Sequence, residues 1–137
     1  MKTLAKWSVD DYHRMVEAGI LRDRHLELLA GEIVEMSPET PIHYTTAKRS
    51  TKYLEGLLSG KADVRFNGPI TLSDSEPEPD IAIVQLPESS YSDHHPAPQD
   101  MFWYGHCTVD NFYYATPVFS WSENLSCNLR RSDSPFG

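Results

Sequence analysis

Read for the spacing of its apolar positions, the chain opens with a helix. Val9, Tyr12, Met15 and Val16 recur three and four apart, the period of a helical stripe. Ser8 with Asp11 three residues on supplies a capping pair, and Gly19 stops the run, so a helix is predicted over about 9–18. Leu26-Glu-Leu-Leu29 and Glu32-Ile-Val-Glu-Met36 flank Ala30-Gly31, a step suited to a tight turn between antiparallel strands. From Pro41 to Leu58, the positions Tyr44, Ala47, Ser50, Leu54, Leu57 and Leu58 keep an apolar or small stripe. This predicts one long helix, closed by Gly60 and packed on a sheet. Ala62–Phe66 and Pro69–Leu72 read as a strand pair around Asn67-Gly68, with Pro69 confining the second run to an edge or a late start. Ile81–Leu86 is a continuous apolar run, expected as a strand buried on both faces. This order of elements implies an α/β or α+β domain with a mixed sheet and the long helix against one face.

The pattern changes after Pro87. Ser89–Pro98 is a loop rich in Ser, His and Pro, and beyond it aromatics crowd the chain without a clear period. Trp103, Tyr104, Phe112, Tyr113, Tyr114, Phe119 and Trp121 suit a strand pair around Pro117, since aromatics fit a pleated surface. The polar stretch Asn124–Gly137 is expected to fray.

A length of 137 residues suits one domain, with 39% hydrophobic positions and ten prolines leaving a modest core. Twelve basic against twenty acidic residues give a formal charge of −8, the wrong sign for gripping phosphates by counterion release alone. Nucleic-acid binding then requires a local basic face or a bridging divalent metal, and Lys48, Arg49 and Lys52 cluster on the long predicted helix. Cys107 and Cys127 show no CxxC spacing, which points to a reducing compartment. With neither an apolar leader at Met1–Val9 nor a run long enough for a bilayer, a cytoplasmic protein without a membrane association is expected.

Chemistry concentrates in Ser75-Glu-Pro-Glu-Pro-Asp80, where a carboxylate is delivered onto the start of the buried run. The prolines stiffen the approach and suppress sheet pairing until Asp80 is reached. Phosphodiester hydrolysis needs oxygen ligands for Mg²⁺ near the scissile phosphate and a positive group for the developing charge. Asp80 could share a cleft with an acid of the preceding hairpin, Glu32 or Glu35, with Glu76 and Glu78 flanking it. The usual complement, a later strand carrying Glu-x-Lys, is missing: no lysine follows Lys61, and after Glu78 the glutamates are Glu88 and Glu123.

Several ordered blocks carry a resemblance. Trp7-Ser-Val-Asp-Asp-Tyr-His-Arg-Met15, Leu26-Glu-Leu-Leu-Ala-Gly-Glu-Ile-Val-Glu-Met-Ser-Pro38, His43 and Glu76-Pro-Glu-Pro-Asp-Ile-Ala-Ile-Val84 are similar to the Uma-type restriction endonucleases. The resemblance spans about residues 7–103. It implies a restriction-endonuclease-like PD-(D/E)xK fold and cleavage of DNA with Mg²⁺ or Mn²⁺. By position it makes Asp80 a metal-binding catalytic residue, Glu32 a further metal-binding or catalytic residue, and His43 a catalytic residue. The family pattern then expects a strand of the type Leu-x-Glu-Val followed by a lysine-bearing helix. The chain instead continues Tyr104-Gly-His-Cys-Thr-Val-Asp-Asn-Phe112. Residues 1–103 are therefore expected to be the nuclease-like domain, incomplete, and 104–137 a divergent, partly disordered tail left by a disrupted reading frame.

Two alternatives stand beside an impaired endonuclease. One is a non-catalytic remnant that binds DNA or protein, whose unpaired sheet edge would favour a homodimer; the other is a small ligand-binding domain with no nuclease history. His94, His95, His106 and Cys107 offer zinc-type donors, though neighbouring strand residues point to opposite faces.

Overall fold

The computed structural model describes residues 1–107 and 112–114, with side chains through residue 106. The first helix, α1 (Val9–Glu17), begins at the capping pair read from sequence: the Ser8 hydroxyl accepts from the Asp11 N–H, and the Asp11 carboxylate accepts from the Ser8 N–H. Tyr12 is its buried residue, and its hydroxyl donates to the Leu26 carbonyl at 2.9 Å, tying the helix to the strand that follows.

Strands β1 (Leu26–Leu29) and β2 (Glu32–Glu35) form the expected antiparallel hairpin, Leu29 opposite Glu32. Both turn residues have positive φ, 49° at Ala30 and 75° at Gly31, the twist that matches paired strands. Helix α2 (Pro41–Leu58) starts at Thr40, whose hydroxyl accepts from the His43 N–H, with Pro41 in the first turn where its missing donor costs nothing.

The main sheet has the order β3-β4-β5-β6, from Asp63–Phe66, Ile81–Val84, Met101–Cys107 and Phe112–Tyr114. Every pairing among the described residues is antiparallel, where a mixed sheet was expected; the α+β class stands. Strand β4 is buried throughout, as its unbroken apolar run predicted. Ile81 and Ile83 pack with Val64 against Ala47, Leu54 and Leu58 of α2, while Ala82 and Val84 meet Ile70 and Met101 on the other face. Alternation along one strand thus feeds two cores.

Pro69–Leu72 is not a strand. Its backbone donors find loop carbonyls instead, Ile70 to Pro77, Thr71 to Pro96 and Leu72 to Ser75, so the segment is satisfied without a ladder. β5 runs through Trp103 and Tyr104 without interruption and gives β4 a neighbour on its second side, so β4 is not the open edge expected of a lost strand. The expected turn at Pro117, Phe119, Trp121, Cys127 and the fraying end lie outside the described residues. No described helix is long and apolar enough to cross a membrane.

Candidate metal centre

A single backbone bridge, Leu28 opposite Glu76, with the Glu76 N–H donating to the Leu28 carbonyl at 2.7 Å, lays β1 beside the Pro-rich approach to β4. A spacing of two in extended chain returns side chains to one side. His25 with Glu27, and Glu78 with Asp80, accordingly line one cleft of about 370 Å³. Glu76 departs from that alternation: its buried carboxylate contacts His13 Nε2, accepts from the Thr71 hydroxyl at 3.0 Å and lies 3.8 Å from His95 Nε2. Glu39, just before the α2 cap, and His43 in the first turn of α2 close the cleft, and β5 adds His106.

Asp80 is 6% exposed. Its Oδ1 lies 3.1 Å from His43 Nε2 and its Oδ2 3.8 Å from His106 Nδ1. His43 Nε2 is buried with no hydrogen bond of good geometry, and it lies between two carboxylates, Asp80 and Glu39, the latter at 3.7 Å. Among the described residues two groups of donors lie close enough to share an ion, Glu39 with His43 and Asp80, and His25 with Glu27 and Glu78. Within the second, His25 Nε2 stands 3.3 Å from Glu78 Oε2. Burial pushes the Glu27 carboxyl above the usual range, and the charge of Glu78 adds to this, against the lowering influence of the Glu78 backbone N–H, His106 and His25. Among the described residues no lysine or arginine lines the cleft. Four carboxylates and three imidazoles with no lysine or arginine among them fit a divalent metal ion, and the His43 nitrogen between Asp80 and Glu39 is placed to be one of its ligands.

Of the residues singled out from sequence, Asp80 and His43 meet in this cleft and Glu32 does not. Glu32 is 51% exposed on the hairpin's outer side and paired with Lys6 at 2.6 Å; that cation holds its carboxyl below the usual range. Glu35 is taken up by Arg24 through two contacts of 3.2 Å. The hairpin does contribute an acid, but from β1, as Glu27. Lys48, Arg49 and Lys52 are exposed on the outer face of α2, away from the cleft, with Lys48 over the Tyr44 ring. Of the zinc-type donors, His94 faces Asp93, His95 faces Glu76 and His106 faces Asp80, while the Cys107 side chain lies outside the described residues.

Sequence reasoning passed over His25, Glu27 and Glu39, and it named His106 as a zinc-type donor rather than as a neighbour of Asp80. The His25-x-Glu27 and Glu39-x-x-x-His43 spacings were signals available to it. His106 had none, because its place depends on β5 register, Ile81 opposite Gly105.

Compared with known families, the chain matches between residues 9 and 104 the Uma2 model, described as "putative restriction endonuclease". No curated protein matches the chain.

Proposed function

Because the chain belongs to the Uma2 family, we propose that its cleft hydrolyses DNA phosphodiesters with a divalent cation. The observation that carries this reading is the buried Asp80 carboxylate set between His43 and His106 in a carboxylate-lined cleft. Asp80, Glu39 and His43 would hold the ion, which supplies Lewis acidity at the phosphoryl oxygen. His43 is fixed for this by its backbone bond to Thr40 at the start of α2. Lys48, Arg49 and Lys52 would contact flanking phosphates and offset the chain's net negative charge. Glu32 takes no part in this reading, being held by Lys6 outside the cleft.

β5 brings His106 toward Asp80, where the family pattern expects Glu-x-Lys. We therefore assign the chain an impaired rather than a full activity. The family match ends at residue 104, next to the change of sequence character at Trp103 and Tyr104. This supports reading 1–103 as the nuclease-like part and 104–137 as a divergent segment. Comparing the three frames of the coding DNA tests that reading: a Glu-x-Lys block in another frame supports it, and none in any frame counts against it.

The missing lysine favours a second reading, a non-catalytic module that binds DNA through the α2 face. Plasmid nicking with Mg²⁺ or Mn²⁺ separates the two. Nicking that disappears with chelator and in Asp80→Asn supports the enzyme, whereas equal inactivity of wild type and variant, with DNA retained in a gel-shift assay, supports the module.

A further inference from the structure

We propose that the DNA this chain meets is unpaired beside the cleft, with one base stacked on the Tyr44 ring and a phosphate held by Lys48. This rests on reading the cleft as one that meets DNA, and it names the class of strand: a single strand, or a melted stretch of duplex.

Placement is the first support. Tyr44 follows His43, a cleft residue, in α2, and it is 41% exposed. Its ring packs edge-on against Phe66, with centroids 5.5 Å apart and planes at 68°. Phe66 also packs on the core under α2, so it holds the Tyr44 ring in place while part of that ring stays open to solvent. Asn67, next in the chain, lines the cleft, and its N–H donates to the Asp80 carbonyl at 3.0 Å. The aromatic pair thus stands beside the cleft, joined through the chain on both sides to residues that line it.

Charge is the next. Lys48, one turn along α2, sits 5.5 Å from the Tyr44 ring centroid and donates to the phenol oxygen at 3.4 Å. A nucleotide carries a partner for each group, a flat base for the ring and a phosphate for the ammonium, and the flexible lysine stem lets Lys48 turn toward that phosphate.

The size of each effect selects the strand. The chain carries a formal charge of −8, and Lys48, Arg49 and Lys52 are the cations that the exposed face of α2 offers, so counterion release is confined to a few phosphates. Stacking on an aromatic ring strengthens binding by about 5- to 150-fold per base and does not depend on net charge. A duplex cannot use it, because its bases are stacked on one another and present only their edges in the grooves.

The test is fluorescence anisotropy of the full chain with a labelled single-stranded oligodeoxynucleotide and with the duplex of the same sequence, in chelator so that neither is cut. The expected result is tighter binding of the single strand than of the duplex by wild type and by Tyr44→Phe. Tyr44→Leu keeps an apolar contact with Phe66 but removes the flat ring, and should bind the single strand more weakly by about fivefold or more. Tighter binding of the duplex, no measurable binding of the single strand, or an unchanged single-strand affinity in Tyr44→Leu overturns the proposal. An equal loss in Tyr44→Phe overturns it too, since the hydroxyl rather than the ring would then make the contact. A single-strand preference that depends on the Tyr44 ring, found without metal-dependent nicking, would overturn the enzymatic reading while leaving the stacking site standing.

Discussion

His43 Nε2 lies 3.1 Å from Asp80 Oδ1 and is buried without a hydrogen-bond partner. The pair joins the start of α2 to the start of β4, so the imidazole and the carboxylate are held side by side where a shared ion would take up both. Asp80→Asn keeps the shape and removes the charge. The expected outcome is a folded protein whose metal-dependent nicking falls by roughly 100-fold or more, beyond the loss typical of merely supporting a metal ligand. Circular dichroism alongside plasmid nicking checks both halves, and undiminished nicking would exclude Asp80 from the chemistry.

The buried Glu76 carboxylate ties α1 to two loops through His13, Thr71 and His95. Glu76→Ala leaves the Thr71 hydroxyl and the His13 ring without that acceptor. A loss of about 1–3 kcal/mol in urea unfolding is expected, and a change under about 0.5 kcal/mol would show that the tie contributes nothing.

Gly31 and Gly60 have nearly the same positive φ, 75° and 72°, in different surroundings. A Cβ on Gly31 would meet Lys6 Cβ at 3.0 Å and the Trp7 carbonyl oxygen at 3.3 Å, whereas one on Gly60 would meet nothing within 4 Å. Backbone strain of about 1–2 kcal/mol applies to both, so Gly31→Ala should lower stability more than Gly60→Ala. Thermal melts of the two variants settle the order.

Asp11 and Asp63 should show pH dependences of opposite sign. The hydrogen bonds from Ser8 hold the Asp11 carboxyl below its usual range, so its stabilisation is present above the ordinary aspartate range and is lost as pH falls through the depressed folded value. Burial, with the charge of Glu88, raises Asp63. Its folded form keeps the proton longer, and stability falls as pH rises through the interval between its unfolded and folded values. Accordingly Asp11→Asn lowers Tm at neutral pH, Asp63→Asn raises it, and both differences shrink in acid.

Replacing Lys48, Arg49 and Lys52 together with alanine should weaken DNA binding without changing Mn²⁺ stoichiometry, because the three lie outside the cleft. The logarithmic salt slope should fall by about 0.9 for each phosphate contact removed from duplex DNA. Fluorescence anisotropy at several salt concentrations reads the slope, and an unchanged slope would place the DNA elsewhere.

The local pattern determined much of this fold. The Ser8 and Asp11 capping pair, the Ala30-Gly31 turn, the stripe from Ala47 to Leu58 and the unbroken Ile81–Val84 run each encode their element within a few residues, and each element is present. Asp80 stood out locally as a carboxylate entering a buried strand, whereas His43 was singled out through the family resemblance; that the two face one cleft follows from packing. Pro69–Leu72 had the composition of a strand, but backbone partners in the loops at Ser75, Pro77 and Pro96 satisfied it without one. The expected hairpin acid lies outside the cleft for a related reason: Glu27 and Glu32 look alike in sequence, and only the bridge from Leu28 to Glu76 turns Glu27 into the cleft while Lys6 pairs with Glu32 outside it. His25 meets Glu78 across 53 positions, and His106 meets Asp80 through strand register. Periodicity states which side of its own element a residue occupies. Which element lies opposite is set by the packing of the whole chain, and there the site was decided.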